Sequence, residues 1–324
     1  MQEALRLRCE KFIENRDLLK ENFKMSSIYL HALSANYFLS TKQAVDISKM
    51  KEAREILRKN VGLFSNYKGI AELLIISILA VSENPEEKLA MAIKYNEKLR
   101  EKFRASQYLT LASIILTDLV DENEIDELIN RGRDIFDGMK KNHRWLTGQE
   151  DTVMALLLAF SERENTALFD DMEEVYDLIT PVFRKNNYSQ MLSHILTLNE
   201  GSNTAKVTKV LDVFNGLEGE GRKYGKTFEL AVLATVVNIE ESAETIVRDT
   251  LAVDELLSKY DGYGPFAITK RGRLMHALML VVDHYLDLTN PLENTTTLGS
   301  LIGTIYMIIA QSAAVAASTA TISN

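Results

Sequence analysis

Three histidines stand in closely similar settings: His31-Ala32-Leu33, His194-Ile195-Leu196 and His276-Ala277-Leu278. Imidazole is a good ligand for zinc and other first-row metals. Brought to one level inside a closed helical interior, the three would form a metal site. A lone histidine in an apolar helix is more often a hydrogen-bonded core residue, so no cofactor is expected. Glu150 and Asp151 are adjacent carboxylates, a pairing suited to acid–base work. At a helix start, capping is their simpler role. Arg104, Arg144, Lys226, Arg271 and Arg273 each lie at the entry to an apolar helix. Helix N-terminal amides favour phosphate or carboxylate, which makes these five the candidate anion-binding residues. The opposing explanation is electrostatic: bases at the end of one helix and acids at the start of the next complement the helix macrodipole.

A further acidic run, Phe169-Asp170-Asp171-Met172-Glu173-Glu174, resembles the aspartate-rich magnesium motif of terpene synthases. It has no second metal motif beside it, and acids in the first turn of a helix are routine. GxSxG, HExxH, GxxxxGK[ST] and GxGxxG are all absent from the sequence. Gly216-Leu217-Glu218-Gly219-Glu220-Gly221 follows a helix rather than a strand and reads as a hairpin turn.

The elements that must position these residues are helices. The chain has 324 residues, 46% hydrophobic and 26% charged, with only 4 prolines and 15 glycines. Apolar segments begin near Ser27, Gly69, Ser106, Gly148, Ser189, Gly225 and Ile268, at a spacing of about 36–43 residues. These B helices are apolar nearly all round and must be buried. A longer amphipathic A helix precedes each, over 2–22, 48–62, 85–102, 123–141, 169–185, 203–218 and 240–260. Thr147-Gly148-Gln149-Glu150 reads as a capping box, and Asn84-Pro85 as a cap with proline at the first helical position. One hairpin cannot bury its apolar face alone. The expected fold is therefore all-α: about seven stacked antiparallel helical hairpins, arranged as an αα-superhelix or an αα-toroid. Loops from A to B are basic and loops from B to A acidic. Aromatic residues at the basic ends (Phe103, Trp145, Tyr188, Tyr224 and Tyr263) are expected mainly to plug the hairpins.

From Asn294 to Asn324 there is no charged side chain. The stretch 298–320 is long enough to cross a bilayer, which takes about 20 apolar residues. Its many Gly, Ser and Thr residues and its lack of flanking bases argue for a packed helix instead. The expected organisation is a repeat domain over 1–293 and a C-terminal helix over 294–324, which packs on the repeat or forms a homo-oligomer contact.

The segment Trp145-Leu146-Thr147-Gly148-Gln149-Glu150-Asp151-Thr152-Val153-Met154-Ala155, with Tyr224-Gly225-Lys226-Thr227-Phe228-Glu229 and Ala310-Gln311-Ser312-Ala313-Ala314, resembles the uncharacterised bacterial family catalogued as domain of unknown function 4003. The resemblance spans most of the chain and brings no activity with it.

The net charge of -9 argues against nucleic acid as a partner. The charged start Met1-Gln2-Glu3-Ala4-Leu5-Arg6 is not a secretory signal. Cys9, the single cysteine, allows no internal disulfide. The expectation is a cytoplasmic helical-repeat protein that binds or scaffolds a protein partner or a small anionic ligand, without a membrane. The alternative is an αα-toroid enzyme acting on a small anionic or apolar substrate in a central cavity.

Overall fold

Apolar helices that cannot face water dictate the architecture. The computed structural model describes residues 1–63, 65–264 and 267–289. The protein is all-α, and the described residues form no strand, only an isolated bridge between Tyr263 and Ile268. A and B helices alternate in seven pairs among the described residues. They are α1 (Glu3–Asn22) with α2 (Ile28–Ser40), α3 (Ile47–Asn60) with α4 (Glu72–Val81), and α5 (Pro85–Lys102) with α6 (Gln107–Leu116). Next come α7 (Ile125–Asn142) with α8 (Asp151–Leu158), α9 (Asn165–Phe183) with α10 (Asn187–Leu198), α11 (Asn203–Gly219) with α12 (Glu229–Ala234), and α13 (Ala243–Leu257) with α14 (Lys270–Thr289). The expected terminal helix of 294–324, with its oligomer contact, lies outside the described residues. None of the described helices is long and apolar enough to cross a membrane.

The chain divides into two compact units. Of the described residues, an end unit holds 1–15 with 166–289, and a middle unit holds Arg16–Asn165. In the middle unit α3 packs on α4, α5 on α6 and α7 on α8, while α5 also touches α3 and α7. The A helices thus lie side by side, and the B helices form the inner layer. Every residue of α8 is buried, as is every residue of α12 in the end unit. There, α13 packs on α14 and α11 on α13, with α12 against α10 and α14.

Side-chain caps start many of the helices. Ser27, Asp46, Ser106, Asn186, Ser202 and Ser242 each accept a backbone N–H of the following turn, satisfying donors that have no intrahelical partner. The capping box expected at Thr147 does not mark the first turn of α8. Instead α8 starts at Asp151, whose Oδ2 accepts the Gly148 N–H at 2.8 Å. Pro85 does open α5, without a side-chain bond from Asn84.

The acidic connection from α6 into α7 is joined to the preceding A helix. Lys88, Lys94 and Lys98 of α5 pair with Asp118, Glu122 and Asp126. Elsewhere, cations of the A helices cap B-helix carbonyls. Arg131 donates to Ala159 O at 3.2 Å and also to the carbonyls of Ser161 and Arg163. Lys206 donates to Leu196 O at 3.0 Å and Asn199 O at 2.7 Å. A positive charge at a helix C-terminus stabilises its orphan carbonyls.

Two glycines set helix spacing. A Cβ on Gly132 of α7 would sit 2.8 Å from Leu156 Cδ2 and 3.4 Å from Leu156 Cα. Gly216, expected in a turn, lies inside α11, where a Cβ would meet Val247 Cγ2 of α13 at 2.8 Å. The turn comes later, at Gly221 with φ 74°. Gly132→Val is expected to destabilise the protein by about 1–3 kcal/mol through overpacking. Urea denaturation checks this; an unchanged midpoint would mean that α7 and α8 do not touch here.

Candidate interaction edge

Each A-to-B loop of the middle unit leaves the C-terminal end of an A helix, so these loops share one edge. Contacts between neighbours support this. The Ile70 N–H donates to Gln107 Oε1 at 3.0 Å, Arg133 reaches Lys102 O at 2.7 Å, and Arg54 lies 5.9 Å from the Phe23 ring centre. Three loops on this edge project large apolar side chains into water: Met25 is 96% exposed, Leu63 78% and Trp145 91%. No other large apolar side chain among the described residues comes near these values. Lys24, Arg104 and Arg144 are exposed beside them.

The Trp145 turn is built to project. After α7 the His143 carbonyl accepts the N–H groups of Leu146 and Thr147, both at 3.0 Å, and the Thr147 hydroxyl at 3.1 Å. Arg144 and Trp145 are left at the tip, with the guanidinium 5.7 Å from the indole centre. Asp151 then fastens the turn to α8 through Gly148. Asp151 is buried and Glu150 half-buried. The geometry of the pair is that of a loop anchor.

The other aromatic residues behave as expected. Phe103 is buried edge-on against Phe136 at 5.8 Å, with Arg133 over both rings. Tyr224 is buried and donates to Glu229 O at 3.0 Å. Tyr188 is half-buried. Tyr263 lies against His276, its hydroxyl 3.1 Å from Nδ1.

The five cationic candidates are divided between the two units. Arg104 and Arg144 belong to the middle unit; Lys226, Arg271 and Arg273 belong to the end unit. The Lys226 ammonium lies 4.9 Å from the Phe214 ring centre, a cation–π contact. Arg273 is held by Asp254 in a two-pronged pair at 2.7 and 3.1 Å. Arg271 is exposed at the start of α14. The three histidines are all buried. His31 Nε2 is 2.9 Å from Phe23 O, and His276 lies edge-on to Phe12 at 5.9 Å. Among the described residues no three His, Cys, Asp or Glu side chains are grouped to hold a metal ion. In the acidic run, α9 begins at Asn165, so the acids lie beyond its first turn. Asp171 and Glu174 both accept from Asn203 Nδ2, at 2.8 and 2.7 Å.

Sequence reasoning missed two buried ionic clusters in the end unit. Asp254 takes Arg273 and, at 3.7 Å, Arg222. Asp249 accepts from Arg248 at 3.0 Å and from the Tyr285 hydroxyl at 2.6 Å. Beside it Arg8 pairs with Asp287 and, at 3.7 Å, with Asp283. Burial raises the Asp249 pKa, but the bonds from Arg248 and Tyr285 outweigh it and hold the carboxyl below its usual range. The Tyr285 phenol is pushed up to about 12, by burial first and by Asp249 second. Burial, and then the Arg8 charge, lowers the pKa of His284. Burial likewise lowers that of His31. The available signal was Asp283 and Asp287, two acids within an otherwise apolar stretch.

The model of a family described as "Protein of unknown function (DUF4003)" matches residues 15–314. The chain belongs to the DUF4003 family. It is also similar to the "Uncharacterized protein YeaA" of Bacillus subtilis (strain 168), at 25% identity over 228 residues, 68% of this chain and 69% of that protein. No solved structure matches the chain. The span shared with the DUF4003 family takes in the Trp145 turn and both buried aspartates, but not Arg8.

For this DUF4003 chain the buried histidines set an acid limit. A histidine whose folded pKa lies below its unfolded value of about 6.5 binds more protons when unfolded. Its stabilising effect is complete above that value and is lost as pH falls toward the folded pKa. Melting temperature is therefore expected to fall on acidification below about pH 6.5. The slope should flatten in the His31→Asn/His284→Asn double variant. An equally steep slope in that variant would assign the acid sensitivity to other groups.

Proposed function

We propose that this chain is a cytoplasmic helical-repeat binding or scaffolding protein that docks a partner on the A-to-B edge of its middle unit. One observation carries the reading: Trp145, the single tryptophan, is 91% exposed at the tip of a turn braced by backbone bonds. Large apolar side chains held in water mark interaction surfaces. Tryptophan and arginine are enriched among the residues that dominate interface energy. A protein partner suits the edge better than a small anion, because the exposed groups are spread over several turns rather than gathered round one ligand-sized site. The groove of about 660 Å³ between α11 and α13, lined by Asp212, Glu220, Glu244, Arg248, Val247 and Leu251, is open and brings together no catalytic constellation.

The test compares complexes that co-purify with the tagged chain and with its Met25→Ser/Leu63→Ser/Trp145→Ser variant. Equal melting temperatures must be established first. Loss of partner from the variant alone is the expected result. An unchanged set of partners would remove the edge as the working surface.

A further inference from the structure

We infer that the partner surface for this edge is an acidic polypeptide segment with interspersed apolar side chains. The inference rests on the binding reading above and adds the chemistry of the partner. The apolar half follows from Met25, Leu63 and Trp145, which lie in three different turns of one edge and are at least 78% exposed. Separate apolar tips fit a partner that offers apolar side chains at intervals. The acidic half follows from Lys24, Arg104 and Arg144, which are exposed in the loops of the same edge. Neither Arg104 nor Arg144 forms an ion pair among the described residues, whereas Arg273 and Arg8 of the end unit do. Carboxylates are the matching charge.

The Arg144–Trp145 stack decides between a polypeptide and an anionic bilayer. The guanidinium lies 5.7 Å from the indole centre. A guanidinium over an aromatic ring keeps N–H donors for a carboxylate, while the exposed indole is left for an apolar contact. Driving this indole into hydrocarbon would carry the guanidinium along and strip its water.

Trp145 is the only tryptophan, so selectively excited tryptophan fluorescence reports on this site alone. The full chain is titrated at low salt with a short peptide of alternating Glu and Leu residues, with its Lys–Leu counterpart, and with phosphatidylserine/phosphatidylcholine vesicles. A saturable blue shift with the Glu–Leu peptide is expected, weakening as salt is added. Arg144→Glu should weaken it at least about tenfold, as loss of an interface arginine does. The Lys–Leu peptide and the vesicles should leave the emission in place. A flat Glu–Leu titration, or an equal shift with Lys–Leu, overturns the acidic partner; if the triple-serine variant still loses its native partner, the edge itself stands. A shift with vesicles and none with peptide assigns the edge to a membrane surface and overturns the proposal.

Discussion

Asp254→Ala is expected to lower the stability of the protein by about 3–5 kcal/mol, the usual cost of removing one member of a buried ion pair. Asp254 has a side-chain exposure of 2% and Arg273 of 13%, and two bonds at 2.7 and 3.1 Å join them. Arg222 adds a third charge at 3.7 Å but is far more exposed, so it can turn to water. Without Asp254 the Arg273 guanidinium remains between α13 and α14 with no compensating carboxylate, and its desolvation is no longer offset. Asp254→Leu combined with Arg273→Met should recover most of the loss, because no charge then remains uncompensated. Urea denaturation of the three proteins checks both statements. A midpoint for Asp254→Ala equal to that of the parent would mean that the pair contributes nothing.

This cluster marks where sequence reading stops. Helical hairpins are legible because they are written locally. Segments such as Leu73–Leu79 and Val153–Leu158 are apolar on all faces, and only burial accommodates them. Pro85 and the acids that follow it place the start of α5 in the same way. The partners of Asp254 and Asp249 are not local. Arg273 is 19 residues from Asp254, and Tyr285 is 36 residues from Asp249. No periodicity connects such residues, so acids in an amphipathic helix read as solvated. Gly216 misleads for a related reason: in sequence it belongs to a glycine-rich turn, and its role depends on Val247 of another helix.

The proposed edge was half legible. The basic A-to-B loops and the candidates Arg104 and Arg144 stand out in the sequence. The difference between Trp145 and its counterparts does not. Phe103, Tyr224 and Trp145 all follow an A helix in basic company, yet two fold inward and one projects. Between α7 and α8 the His143-centred turn carries the indole away from the helix ends. The backbone turn decides the outcome, and it does not show in residue type.

The second large effect follows from that exposure. Trp145→Ala is expected to weaken partner binding by about 2 kcal/mol or more, roughly 30-fold, the scale of an interface hot spot. Stability should change by no more than about 0.5 kcal/mol, because the ring is almost wholly exposed and buries little in the free protein. Leu156→Ala, in the core of α8, is the contrasting control. That side chain is 1% exposed, and its truncation should cost about 2–5 kcal/mol. Calorimetry for stability and titration for affinity separate the two effects. A Trp145→Ala protein that melts well below the parent would show that the indole packs against the protein.

The most direct measurement is acrylamide quenching of Trp145, first in the free chain and then with its co-purified partner bound. The expected result is quenching near that of free tryptophan in the chain alone, and strong protection in the complex. An indole already protected in the free chain, or equally quenched after the partner binds, would contradict the assignment of this edge as the working surface.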